Sequence, residues 1–317
     1  MKKGEQEQAI NMDIWHGRVD LGEGTKAKRW HQVIAPYQGQ KEGTTIIGFA
    51  SDEGVKRNQG RVGAKEGPVA IRKAVANLAW SSERSLYDAG DIHTYQDLEE
   101  SQAQFATKVC DILDNDNTLS AIGGGHEIGY ASFSGFVQHI SKHHPKAKVG
   151  IINFDAHLDL REDQQATSGT PFYQCAKLCE TLNMPFHYTC LGVSKYNNTE
   201  ALFERAERLN TRIVFDEDIN SWDLSAYEKA INKAIDEVDY LYLTICLDVL
   251  PAYVAPGVSA PASRGVELPI LEHGLKQILN SNKVKMADIA ELNPELDKDN
   301  ITAKVAARLL SLMASRK

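Results

Sequence analysis

No stretch of about 18 apolar residues occurs in the 317-residue chain, so no membrane-spanning helix is expected. Residues 1–8 carry the charge of a secretory leader, but no apolar segment follows them and no leader is read. There are only five cysteines: Cys110, Cys175, Cys179, Cys190 and Cys246. This odd, scattered set suits reduced thiols rather than a disulfide framework. Cys175 and Cys179 stand four apart, a helical packing spacing, and no second Cys or His pair completes a zinc site with them. Basic charge is not in excess: 35 Lys and Arg face 43 Asp and Glu, a net charge of −8 at pH 7. That balance argues against nucleic acid or an anionic membrane as the main partner and leaves room for a local basic pocket. Repeats, Gly/Ser linkers and charge blocks are missing too. The expectation is a cytoplasmic protein acting on a small molecule, with no nucleic-acid or membrane partner; a homo-oligomer is compatible with the sequence. One domain over residues 1–317 is read, with residues 1–40 a poorly defined extension that wraps the domain or mediates assembly.

What is present is an alternation of short apolar runs with amphipathic stretches. TTIIGFA from Thr44, TLSAI from Thr118, VGIINF from Val149 and YLYLTICL from Tyr240 read as buried strands, as do segments 186–193, 211–215 and 284–290. Helical spacing covers the stretch opened by Gly67-Pro68, and residues 127–141, 225–238, 269–279 and 301–313. Near-continuous apolar strands between amphipathic helices predict an α/β fold with a mostly parallel central sheet covered on both faces. In such sheets the ligand site lies beyond the carboxyl ends of the strands.

Four strands lead into acidic residues, His or Cys. TLSAI runs into Gly123-Gly124-Gly125-His126-Glu127, and VGIINF into Asp155-Ala156-His157-Leu158-Asp159. YLYLTI runs into Cys246-Leu247-Asp248, and the strand ending at Ala290 into Glu291-Leu292-Asn293-Pro294. Asp155, His157 and Asp159 alternate, so on an extended segment they point the same way. Two carboxylates with an imidazole suit a divalent cation such as Mn²⁺, and bridging carboxylates permit a pair of ions. The glycine run matches neither a dinucleotide fingerprint nor a P-loop, and reads as a tight turn presenting His126.

These blocks, in this order, resemble those of the ureohydrolase superfamily, which contains arginases, agmatinases and formimidoylglutamases. Gly60-Arg61-Val62-Gly63, Glu66-Gly67-Pro68 with Arg72, and Asp88-Ala89-Gly90-Asp91 are similar to it as well. Ser168-Gly169-Thr170-Pro171-Phe172 and Leu247-Asp248-Val249-Leu250-Pro251 resemble the formimidoylglutamase branch. The resemblance implies a three-layer α/β/α arginase-like fold and a two-ion Mn²⁺ centre. The metal ligands it implies are His126, Asp155, His157, Asp159, Cys246 and Asp248. It implies hydrolysis of N-formimidoyl-L-glutamate to L-glutamate and formamide, by a metal-activated hydroxide attacking the amidine carbon, in histidine degradation. Asp159 would orient the hydroxide, Glu291 would hold the cationic amidinium, and Arg161 and Ser168 would contact the substrate. Alternative readings are an agmatinase or other guanidino hydrolase that releases urea, and a metal-poor, non-catalytic relative acting as a binding protein.

Two positions depart from the superfamily pattern. Cys246 stands where a bridging carboxylate is usual; as a thiolate it biases the site toward softer metals, and as a thiol it leaves one ion weakly held. Phe172 stands where arginases and agmatinases carry a proton-shuttling His. A substrate with two carboxylates calls for arginine, and Arg57, Arg61, Arg161 and Arg264 flank the metal blocks. The remaining histidines, His139 among them, show no ligand spacing, although His143 and His144 sit at a helix end where a cation is favoured. Trp15, Trp30, Trp80 and Trp222 are read as packing.

Overall fold

The computed structural model describes residues 10–94 and 97–315. Its strands are β1 (Ile34–Pro36), β2 (Thr44–Ala50), β3 (Leu86–His93), β4 (Thr118–Gly123), β5 (Val149–Phe154), β6 (His187–Val193), β7 (Arg212–Phe215), β8 (Tyr240–Cys246) and β9 (Val284–Ala290). They form one sheet in the order β1-β3-β2-β4-β9-β8-β5-β6-β7, and every pairing is parallel. The α-helices are α1 (Trp30–Val33), α2 (Glu53–Arg57), α3 (Gly67–Val75), α4 (Leu98–Asp114), α5 (Ile128–His143), α6 (Pro171–Thr181), α7 (Glu200–Arg208), α8 (Ser225–Asp236), α9 (Leu268–Asn280) and α10 (Ile301–Ala314).

Each face of the sheet carries its own apolar core. Ile46, Ile122 and Ile152 point to one face and meet Ile71 of α3, Tyr227 of α8, Leu271 of α9 and Leu310 of α10. Their neighbours Ile47, Ala121 and Ile151 point to the other face and meet Phe105 of α4, Phe136 of α5 and Phe172 of α6. The fold is therefore three layers, α/β/α, as expected. Every residue of β2, β4 and β5 is buried, which is why these segments read as continuous apolar runs rather than alternating ones.

The elements not read from the sequence are strands β1 and β3 and helices such as α2, α4 and α7. β1 is three residues long, inside the segment read as an extension, and it pairs with β3. β3 itself is masked by charge. Its buried Asp88 accepts from Arg72 Nε at 2.8 Å and from Trp15 Nε1 at 2.8 Å, and Asp91 accepts from Arg72 Nη1 at 2.6 Å. Buried carboxylates are tolerated in a strand when a buried guanidinium answers them. Trp15, Trp30 and Trp80 pack together near this network, Trp15 stacking on Trp30 and Trp30 meeting Trp80 edge-on. Trp222 does not pack: it is 83 % exposed, in the turn before α8.

No helix among the described residues is long and apolar enough to cross a membrane. All five cysteines are unpaired, and Cys175 and Cys179 are buried on the inner face of α6.

Candidate metal centre

β4, β9, β8 and β5 are adjacent in the sheet, and they are the four strands that lead into the acidic and histidine-bearing blocks. β4 neighbours β2 on one side, whereas β5 continues to β6 on the other. The strand order reverses between them, and crossovers leave to opposite sides and open a crevice at the carboxyl edge.

The glycine run after β4 is held by its neighbours. Gly124 N–H donates to Phe49 O at 2.8 Å, Gly125 N–H to Ser51 O at 2.9 Å, and Glu291 N–H to Gly124 O at 2.8 Å. None of the three glycines has positive φ. The demand is for space rather than for turn geometry, because a β-carbon on Gly124 would overlap the carbonyl of Ser51. This close approach brings His126, fully buried, over the end of β8, where its Nε2 lies 3.0 Å from Thr244 Oγ1.

The Asp155–Asp159 segment is not extended. β5 ends at Phe154, His157 N–H turns back onto Asp155 Oδ1 at 2.8 Å, and Asp159 has φ of 48°. Asn198 holds the turn, accepting from Leu158 N–H and donating to Ala156 O. The three side chains therefore meet through a bent loop rather than through strand alternation. Asp159 and Glu291 (φ 74°) both hold the left-handed region, which is costly for non-glycine residues.

Two sets of donor atoms result, each within 4.8 Å of one another: His126, Asp155 and Cys246, and Asp155, His157 and Asp248. They share Asp155. His126 Nδ1 lies 2.9 Å from Asp155 Oδ2 and 3.0 Å from Asp159 Oδ2, yet it makes no hydrogen bond. His157 Nδ1 lies 3.2 Å from Asp248 Oδ2, and Asp248 Oδ1 is buried without a partner. Converging donors with buried, unpartnered atoms fit a pair of divalent ions.

The electrostatics agree. Burial opposes ionisation of both histidines, but the carboxylates of Asp155 and Asp159 hold His126, and those of Asp248 and Asp155 hold His157, well above the ordinary range. Burial, with Asp155 close by, pushes Asp159 up. Burial, with Asp248 and Glu127 close by, pushes Glu291 up to about 8. Burial and the surrounding carboxylates raise the Cys246 thiol further still. The cluster has more acid than cation and calls for positive charge.

These residues open into a cavity of about 440 Å³ lined by His126, His157, Asp159, Cys246, Asp248 and Glu291. Arg161 and Ser168 line it as well, together with Arg61, Asn58 and Asn197. Asn58 accepts from Arg161 Nη1 and donates to Ser168 Oγ at 3.2 Å. Three of the four flanking arginines are engaged elsewhere: Arg61 Nε donates to Ser259 O at 2.8 Å and its Nη2 to Val258 O at 2.7 Å. Arg57 pairs with Glu53 and Glu99, and Arg264 donates to Asp216 O. A larger hollow of about 750 Å³ lies at the opposite edge, at the starts of β5 to β8, and none of the expected site residues lines it.

Phe172 does not face the cavity. It is fully buried, edge-on to the His126 ring at 5.3 Å and stacked on Tyr188 at 4.7 Å. It braces His126 and has no proton to give. The sequence reading passed over Asn153, which donates to Asp155 Oδ2 at 3.1 Å, and Thr244 beneath His126. The available signal was a buried polar residue inside an otherwise apolar strand, in each case two residues before an expected ligand.

A model described as the arginase family matches residues 42–315 of this chain. A formimidoylglutamase of Aeromonas hydrophila is 47 % identical over 306 residues, covering 95 % of this chain and 96 % of that protein. One from Ralstonia nicotianae is 45 % identical over 306 residues, covering 94 % and 93 %. Among solved structures, formimidoylglutamase from Bacillus subtilis superposes with a TM-score of 0.81 at 25 % identity, covering 92 % of each chain. Trypanosoma cruzi formiminoglutamase, crystallised with two Mn²⁺, superposes with a TM-score of 0.80 at 25 % identity, covering 91 % of this chain and 97 % of that one.

Proposed function

Because the chain belongs to the arginase family, we propose from its acid-rich centre and arginine-lined cavity that it is a formimidoylglutamase. It hydrolyses N-formimidoyl-L-glutamate to L-glutamate and formamide, a step of histidine degradation. The observation that carries this reading is the sharing of Asp155 by two donor sets beside a cavity that also presents Arg161. The acidic donors suit a cationic amidinium, and Arg161 suits a substrate carboxylate.

His126, Asp155 and Cys246 would hold one divalent ion, and Asp155, His157 and Asp248 the other, with Asp159 beside His126. When bound, the Mn²⁺ pair lowers the pKa of water so that hydroxide is available near neutral pH. The residues of the chain do the rest. Asp159 orients the attacking oxygen toward the amidine carbon. Glu291 accepts the amidinium N–H, and the positive charge of the substrate is what ionises this buried carboxyl. As water adds, the bond from the amidine carbon to the glutamate nitrogen breaks, and that nitrogen leaves protonated. Phe172, behind His126, is not the donor. Arg161, linked to Ser168 through Asn58, would take a substrate carboxylate. The unpaired cysteines support a reducing, cytoplasmic location.

The test is an assay of the Mn²⁺-loaded protein for glutamate and formamide from N-formimidoyl-L-glutamate, with agmatine and arginine as controls for urea. Release of urea in place of formamide would move the protein to the guanidino hydrolases. Arg161→Met should raise KM by about tenfold or more with a smaller change in kcat, as loss of a hydrogen bond to a charged group predicts. An unchanged KM would remove Arg161 from the substrate site.

A further inference from the structure

At the edge of the sheet opposite the catalytic cavity, α4 and α5 end side by side. Asp114 is the last residue of α4, His143 is the last of α5, and His139 lies one turn earlier. His139 Nδ1 is 2.6 Å from Asp114 Oδ1, and His143 Nε2 is 2.9 Å from the same oxygen. Lys142 Nζ lies 2.6 Å from the other carboxylate oxygen. The two imidazole rings are 4.9 Å apart.

We propose that Asp114, His139 and His143 form a second metal site, for a borderline divalent cation of the zinc class, separate from the catalytic centre. The three donor atoms converge within 4.8 Å. Histidines four apart on one helix face are a recognised zinc-binding spacing, which the sequence reading missed because the third donor lies 25 residues upstream on another helix. Both helices point their carbonyl ends here, so two macrodipoles favour a cation. Two imidazoles with one carboxylate suit zinc better than manganese. Zinc bonds of about 2.0–2.1 Å set neighbouring ligand atoms roughly 3.3 Å apart. The Asp114 oxygen therefore needs to withdraw by less than about 1 Å, and the open side leaves room for water as a fourth ligand.

The site is tested on the full chain preloaded with Mn²⁺ and titrated with Zn²⁺, following zinc uptake by equilibrium dialysis while manganese content is measured in parallel. Exchange at the catalytic centre is then visible and common to all variants. Wild type should take up one zinc equivalent that His143→Gln, a half-exposed position where folding is not at stake, binds about tenfold or more weakly. Lys142→Met should bind it more tightly, because a competing cation has left Asp114. Equal zinc uptake by wild type and His143→Gln, or weaker uptake by Lys142→Met, would show the cluster to be an ion-pair network and overturn the proposal. The outcome is independent of the substrate assay.

Discussion

Asp155 is the residue on which the centre turns. It belongs to both donor sets, accepts from Asn153 Nδ2 and His157 N–H, and is held below the usual carboxylate range by His126 and His157 against the effect of burial. Asp155→Ala should therefore abolish binding of both ions, whereas Asp248→Ala and Cys246→Ala should each leave about one per chain. Metal analysis after dialysis decides this, and retention of two ions by Cys246→Ala would exclude the thiol as a ligand. The activity of Asp155→Ala should fall by at least about a thousandfold, since several kcal/mol of transition-state stabilisation go with the ions. A second buried acid, Glu127, is pushed up to about 7 by burial, against hydrogen bonds from Ser51 Oγ–H and Gly54 N–H. In chelated protein its native pKa lies above the unfolded value, so the folded state holds the extra proton and stability falls as pH rises from about 4.5 to 7. Glu127→Gln keeps an oxygen for both donors and should remove about 3 kcal/mol of that decline. Urea unfolding of both proteins at pH 5 and pH 8 measures it, and parallel pH profiles would sink the assignment.

At the level of elements, α5 begins two residues after His126. It packs along α4, where Gly135 permits close approach: a β-carbon there would overlap Ala106 O and come within 2.7 Å of Val109 Cβ. Gly135→Ala adds helix propensity but forces the helices apart, and overpacking should win. The expected result is destabilisation by roughly 1–3 kcal/mol in urea unfolding, with manganese still bound. A more stable variant would show that α4 can slide without cost. α6 approaches the same helix from its other side, and its Phe172 N–H donates to Asp159 O at 3.2 Å while the ring rests on His126. Helices on this face thus position candidate ligands as well as cover the sheet.

Over the whole molecule, the centre ties together the four middle strands of a nine-stranded sheet. Ions bound there act as cross-links between segments from His126 to Asp248, and they stabilise only the folded state. At a free Mn²⁺ concentration a thousandfold above Kd, one site contributes about 4 kcal/mol. Chelation should lower Tm, and Tm should rise with Mn²⁺ concentration in calorimetry. A Tm indifferent to Mn²⁺ would mean that the ions are not bound by this centre. Far from it, the Trp15–Trp30–Trp80 cluster fastens residues 10–33 against the edge that holds β3.

The central strands, the three-layer fold and the blocks that supply the candidate donors were legible in the sequence, because each rests on local information: an apolar run long enough to be buried on both faces, ending in acidic residues, His or Cys. β1 and β3 were not, since β1 is too short to carry a pattern and β3 hides its burial behind carboxylates that Arg72 answers from another element. Only the tertiary structure decided that Asp155 is shared by two donor sets, that Asp159 arrives by a bent loop, that Phe172 braces His126, and that Arg161 rather than Arg57 or Arg264 faces the cavity. The same holds for Asp114 meeting His139 and His143. Each of these depends on distances between segments far apart in the chain, which crossovers and helix packing set and no local spacing encodes.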